Sequence, residues 1–467
     1  MDEMKNDSSR PVNPRRRKRS QMQVFKEAYL PIIIAGIAVL LIIIFIIGSV
    51  SRAIERRKAE TDASIAASVS IAEEEKRLSE EAQTLIQEAE VLVAQYDYAG
   101  AIAVLDSFSG DMTKYPQLVD KRAAYTDAQG KLVAWNDPGK VENLSFQLLI
   151  ADPSRAFVDK TYGSSYEKNF VTINEFSAIL QQLYDNGYVL VSLDDVFENN
   201  AAKTLYLPQG KKPLILTQTQ VNYNTYMIDG DGDKLPDKNG AGFASKLVLE
   251  NGKLTCEMVD SNGNTVRGAY DLVPILDAFI EAHPDFSYKG AKAVLAVTGY
   301  DGLFGYRTNP AAKELFGADA YAKAVSDAGA VAAALRASGY DIACYTYSNT
   351  DYSQSSAAQI KADLLKWTNE VLPILEAVDI LAFARNGDIS TSGEYSGEKF
   401  NALQSTGFRY YLGFSTDGNS WATVADAYVR MGRILVTGSN MKQHPDWFND
   451  MFDVKTVVES IRGYTWN

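Results

Sequence analysis

The chain has 467 residues, with 46 Lys and Arg against 59 Asp and Glu, two His and two Cys. That length allows several domains and a large core, and a composition 46% hydrophobic and 22% charged excludes a disordered chain. Two Cys exclude a disulfide-stapled scaffold and a Cys-rich zinc cluster, and two His narrow every mechanism that needs imidazole.

The charge is uneven. Residues 1–28 carry eight basic and four acidic side chains, while everything from Arg52 onward carries 38 basic and 55 acidic ones. A body that acidic repels nucleic acid, so no nucleic-acid partner is expected. The basic run at residues 15–19 is explained instead by the apolar segment next to it. Residues 28–51 contain no charge and include PIIIAGIAVLLIIIFIIG. At 1.5 Å per helical residue, about 20 apolar residues cross a bilayer, so 29–51 reads as a transmembrane signal anchor. The basic flank before it outweighs Arg52, Arg56, Arg57 and Lys58 after it, which puts a cytoplasmic tail at 1–28 and the remainder outside the cell. A small-x-small pattern at Ser49 and Ser51 keeps a cleaved signal peptide as the alternative.

Residues 52–137 are rich in Ala and Glu, with no Pro before Pro116. Leu78, Leu85, Ala89, Leu92, Ile102 and Leu105 recur at helical spacing. QYDYAGAIAVLDSF is similar to half of a tetratricopeptide unit, so this region reads as a helical stalk with one hairpin. Two roles fit it: a spacer from the membrane, or a peptide-binding or dimerising hairpin.

From 138 to 467, short apolar runs alternate with amphipathic helical patterns. The runs begin at Phe146, Tyr188, Pro213, Ala293, Asp341, Asp379, Tyr410 and Arg433, and their alternation predicts an α/β fold, a (β/α) barrel with eight strand candidates. Functional residues in such barrels lie just beyond the strand ends.

At those ends the chain resembles the polysaccharide deacetylases, the NodB-homology carbohydrate esterases, and in particular a membrane-anchored form of clostridia-like bacteria. GKKPLILT, DLVPILDAFIEAHPDFSYKGAKAVLAVTGYDGLFGYRT and FNALQSTGFRYYLGF carry the resemblance over residues 141–441. It implies removal of acetyl groups from sugars, by a divalent metal on one Asp and two His with a second Asp as base. The Thr-Phe-Asp-Asp-Gly motif falls here on Thr217, Gln218, Thr219, Gln220 and Val221, without a carboxylate. The His-x-x-x-His motif falls on Tyr345, Thr346, Tyr347, Ser348 and Asn349, without an imidazole. A third motif loses its Pro at Phe383, Ala384, Arg385, Asn386 and Gly387, and Gln147 and Thr437 stand where a His and an Asp are expected.

The resemblance therefore implies the fold without its chemistry: a pseudoenzyme, with no catalytic zinc. Thr219, Gln220, Asn222, Tyr223, Tyr345, Tyr347, Asn349, Arg385 and Asn386 are expected to ring one mouth. Amides, hydroxyls and flat rings suit neutral sugar recognition, so the mouth either binds cell-wall or surface glycan or is merely filled while another surface engages wall-modifying proteins. The competing class is an active hydrolase, either a deacetylase using non-standard residues or a glycosidase using Asp301 and Asp388.

Asp229, Asp231, Asp233 and Asp237 alternate on a Gly-bearing loop and suit a structural calcium ion, although Lys234 and Gly240 break the EF-hand pattern. A solvated turn is the other reading. His283 and His444 each precede Pro and read as packing residues. Cys256 and Cys344 are open to pairing or to burial as thiols.

Overall fold

The computed structural model describes residues 29–390 and 393–466 together with Met22, Phe25 and Lys26. Most of the basic tail expected at 1–28, including 15–19, lies outside the described residues. The chain divides into two compact units, Met1–Glu81 and Ala82–Asn467.

The first unit is built on the part of α1 (Leu30–Ala94) that precedes Ala82; the whole is an unbroken helix of 65 residues with an 18-residue window of mean hydropathy 3.4. By length and composition it is long and apolar enough to cross a membrane. The helix continues past residue 51 without a break, because the Ala- and Glu-rich stretch after it lacks Gly and Pro.

The second unit begins at Ala82. Within the second unit, the hairpin of α2 (Tyr98–Asp106) and α3 (Pro116–Gly130) is tied to the barrel domain. The Lys289 amide donates to the Gln95 carbonyl at 2.9 Å and the Tyr96 hydroxyl donates to Asp285 at 3.4 Å. The strand Val133–Trp135 pairs antiparallel with Leu205–Leu207.

The barrel domain holds eight parallel strands: β1 (Glu142–Phe146), β2 (Tyr188–Leu190), β3 (Lys212–Thr219), β4 (Ala293–Val297), β5 (Asp341–Cys344), β6 (Ile380–Ala382), β7 (Tyr410–Phe414) and β8 (Tyr428–Leu435). Seven of them close a barrel in the order β3-β4-β5-β6-β7-β8-β1 and back to β3. The expected eight-strand barrel is thus corrected to seven. β2 spans only three residues and pairs with the start of β3, Tyr188 opposite Lys212. β4 takes over the same edge of β3 from Leu216 to Thr219, leaving β2 outside the ring.

Two strands also lie earlier than expected. The run beginning at Phe146 is the end of β1, and that beginning at Arg433 is the end of β8. A three-stranded antiparallel insertion, Lys246–Glu250, Lys253–Val259 and Thr265–Gly268, interrupts the strand-helix alternation. Its first turn is Asn251-Gly252, both residues in the left-handed region that a two-residue hairpin requires.

Strands buried on both faces read as continuous apolar runs, and β3 is buried at every position after Lys212. Inward faces supply Val141, Ile215, Val294, Ala296, Ala343, Ile380, Ala382, Leu412, Val429 and Met431 to one cluster. Outward faces, with Leu144, Leu214, Leu216, Leu295, Leu381 and Ile434, pack on the helices. α4 (Ile173–Asp185) shows why those helices form: Thr172 and Glu175 make a capping box, and Phe176, Ile179, Leu180 and Leu183 form one buried stripe. Glu175 also pairs with Arg462 at 2.6 Å, both fully buried, which fastens the C-terminal segment to the helix start.

At the opposite end of the barrel from the mouth, Asp341 opens β5. Its carboxyl is pushed up to about 7, first by burial and then by Asp194, Asp379 and Asp195, against the opposing pull of Arg336. A folded-state value above the unfolded one gives stability that is present at low pH and lost as pH rises through about 7. The melting temperature of the full chain should therefore fall by about 2–4 °C between pH 6 and pH 8, and Asp341→Asn should flatten that slope in a circular dichroism melt.

Candidate functional site

The C-terminal strand ends enclose a cavity of about 200 Å³. β1 supplies Ser145, Phe146 and the adjoining Gln147; β3 supplies Thr219 and the adjoining Gln220. Tyr345 and Asn349 lie after β5, Arg385 and Asn386 after β6, Phe414 ends β7, Leu435 ends β8 and Thr437 follows it. The four positions matched to the acids and imidazoles of the family motifs, Thr219, Gln220, Tyr345 and Asn349, thus stand together.

Of the nine expected mouth residues, six line this cavity: Thr219, Gln220, Tyr345, Asn349, Arg385 and Asn386. Three are corrections. Asn222 is fully buried and clamps the β4 end, donating to the Thr298 carbonyl at 2.8 Å and accepting from the Thr298 amide at 3.0 Å. Tyr223 is buried beneath the loop and donates to Asp271 at 2.7 Å. Tyr347 turns away: its hydroxyl donates to Glu370, and its amide is held by Asp363 at 2.7 Å. In each case a buried donor or acceptor is satisfied locally, which fixes the side chain away from the mouth.

The backbone at the mouth is held against its preference. Gln220, Asn349, Arg385 and Asn386 have φ of 59°, 54°, 53° and 58°, and the neighbouring Thr346 has 56°. Each such non-glycine residue costs on the order of 1 kcal/mol, more for β-branched Thr346. Interior anchors hold these turns. The Thr346 hydroxyl accepts from the Thr350 amide at 2.7 Å, and Asp363 accepts from Tyr347, Ser348, Thr350 and Tyr352.

On the β3 side the anchor is Asp271, the fully buried residue preceding α5 (Leu272–Ala282). It accepts from the Leu149 amide at 2.9 Å, Gln218 Nε2 at 2.7 Å and the Tyr223 hydroxyl at 2.7 Å. Burial raises its carboxyl above the usual range while those three donors pull it down.

The polar atoms of the cavity are amides, hydroxyls, a phenol and one guanidinium; none of the lining residues is Asp, Glu, His or Cys. Gln220 donates to Gln147 Oε1 at 3.4 Å, Gln147 to the Asn169 carbonyl at 3.2 Å, and Thr219 to the Phe146 carbonyl at 3.3 Å. Ser145 Oγ and Asn349 Oδ1 are buried without a hydrogen-bond partner among the described residues. Neutral oxygens and amides are poor ligands for a zinc-like ion, so this donor set does not fit the metal that the resemblance implies.

One residue escaped the sequence reading. Arg433, on β8, is fully buried, donates to the Gly413 carbonyl at 3.1 Å and the Phe383 carbonyl at 2.7 Å, and leaves Nη1 without a partner. Its guanidinium lies 4.3 Å from the Phe414 ring centre and 5.8 Å from that of Tyr345, two rings of the cavity wall. Burial pulls it down to about 10, which leaves it cationic at neutral pH. A cation inside the apolar run of β8 is its visible signal.

Asp301 and Asp388 share no cavity. Asp301 accepts from the Thr225 amide at 2.8 Å and hydroxyl at 3.0 Å, and lines a separate space of about 500 Å³ with Tyr300, Arg307, Tyr347 and Glu370. Asp388 is buried against Arg430 at 2.8 Å and accepts from the Tyr395 hydroxyl at 2.6 Å. His283 is sandwiched by Tyr184 and Phe279, and His444 stacks on Trp447. Cys256 and Cys344 are buried free thiols.

On the acidic loop, Asp229, Asp231 and Asp237 bring oxygens within 4.8 Å of one another. Asp233 is not among them; its carboxylate accepts from the Leu235 amide at 2.7 Å. Backbone amides already engage the other three: Asp229 accepts from Asp231 and Lys234, Asp231 from Asp233, and Asp237 from Gly230.

No family model and no curated protein matches the chain. Among solved structures, it is similar to the Streptococcus pyogenes deacetylase PplD in complex with acetate, at 14% identity and a TM-score of 0.35 over 68% of this chain and 98% of that one. It is also similar to a de-N-acetylase from Aggregatibacter actinomycetemcomitans, at 11% identity and a TM-score of 0.35 over 64% and 95%. Likeness at that level carries nothing about what this chain binds.

Because Asp271 joins three donors around β3, replacing it with an amide sets an NH₂ against one of them. Asp271→Asn should cost about 2–4 kcal/mol in urea unfolding of the full chain.

Proposed function

We propose that the chain is a membrane-anchored, noncatalytic glycan-binding module, its barrel outside the cell and its basic tail inside. The single observation that supports this reading is the composition of the mouth. The positions matched to a metal site converge on one cavity, yet they bring Thr219, Gln220, Tyr345 and Asn349 in place of carboxylates and imidazoles. Strained turns persist where the surrounding structure over-determines them, and here several surround a space with unpartnered polar atoms. Neutral hydrogen-bonding groups beside the Tyr345 and Phe414 rings suit a sugar, which offers hydroxyls along its rim and an apolar face. A cavity of about 200 Å³ takes one sugar unit or a substituent, since drug-sized ligands use about 300–1,000 Å³. A scaffold for wall-modifying proteins would not need such a space.

Full-length protein in detergent, incubated with acetylated sugar oligomers and added zinc or cobalt, should release no acetate above a protein-free control. In the same preparation, Tyr345→Ala should weaken oligomer binding in calorimetry about tenfold, from lost stacking and a lost wall. Metal-dependent acetate release would sink the reading. Protease added to intact cells should trim the barrel and spare an epitope placed at the N-terminus, if the basic flank is inside.

A further inference from the structure

We propose that the barrel-mouth cavity selects an acidic sugar, holding a carboxylate or phosphate oxyanion between Arg385 at its rim and Arg433 behind its wall; this rests on the glycan-binding reading above.

The cavity stands against the charge of the whole molecule. The chain has a net charge of −13, yet its twelve lining residues include one cation, Arg385, and no acid. Behind the aromatic wall, Arg433 adds a second cation that forms no ion pair among the described residues. A buried guanidinium is ordinarily matched by a carboxylate, as Arg462 is by Glu175 and Arg430 by Asp388 in this same domain. All three donate to two backbone carbonyls, but Arg433 alone of them has no carboxylate partner among the described residues, and its Nη1 is left unpaired. Asp388 is the one carboxylate whose charge reaches Arg433, and it is ion-paired to Arg430, so an anion in the cavity gains the attraction of both Arg385 and Arg433.

The neutral groups agree in sign. Ser145 brings an unpartnered hydroxyl, and Gln220 and Asn386 bring amide groups to the same space, all able to donate to an oxyanion. Arg385 is exposed and forms no hydrogen-bonded ion pair among the described residues, although the Asp351 carboxyl is held below the usual range by the Ser353 hydroxyl and, in part, by the charge of Arg385.

The test titrates full-length protein in detergent micelles with glucose, glucuronate and glucose 1-phosphate by calorimetry at low and high salt. The expected result is that at least one acidic sugar binds tenfold or more tighter than glucose, with a difference that shrinks as salt rises. Which of the two does so identifies the carboxylate or the phosphate as the recognised group. Arg385→Gln, at an exposed position, should remove most of that preference, and Arg385→Glu should reverse it, with glucose titrated into each variant as the reference against which the preference is read. If glucose binds and neither acidic sugar exceeds it, the anion assignment is overturned and the glycan reading stands. If the acidic preference survives Arg385→Glu, the assigned place is overturned. If none of the three sugars binds, both readings fall.

Discussion

β3 is the constraint on which the barrel depends. It is paired along one edge by β1 and along the other first by β2 and then by β4, so it both closes the ring and sets its register. A one-residue slip would exchange its inward and outward faces, placing Ile215, Thr217 and Thr219 against the helices. Two side-chain bonds oppose that slip. Thr217 donates to Asn143 at 2.9 Å inside the barrel, and Gln218 donates to Asp271 at 2.7 Å outside it. The end of the same strand delivers Thr219 and Gln220 to the mouth, so the interactions that fix the fold also fix the site.

Much of this is legible in the sequence. Apolar runs such as PLILT and AVLAVT, buried on both faces, read as parallel strands, and the intervening helices carry capping signals such as Thr172 with Glu175. What is illegible is closure. Nothing in YVLVSL distinguishes a barrel strand from one that pairs only with the start of its neighbour, because pairing partners are nonlocal. Likewise Asn222, Tyr223 and Tyr347 share the composition of the true lining residues. Only the direction of each side chain separates them, and that direction is set by Thr298, Asp271 and Glu370, which lie far away in sequence.

Arg433 escapes for a related reason. Charged residues in strands are usually outward and paired, and Arg430 on the same strand is that case, held by Asp388. Alternation along β8 places Arg433 on the opposite face from Ile434, which packs with the outer core, and hence toward the interior. That parity is readable once β8 has been placed, but a strand taken to begin at Arg433 itself has no preceding residues to alternate against.

The interior explains why arginine is tolerated there. Guanidinium is weakly hydrated and planar, so it loses less on leaving water than an ammonium does, and it recovers part of that loss by lying on an aromatic face. Phe414 at 4.3 Å supplies the face, while Gly413 and Phe383 supply carbonyls. Lysine offers neither the plane nor the fork, so the position demands arginine for its shape as much as its charge. A metal centre would have placed its positive charge at the mouth with ligands around it. Here the positive charge belongs to the chain itself and is fixed by the barrel, beside two of the rings that line the cavity.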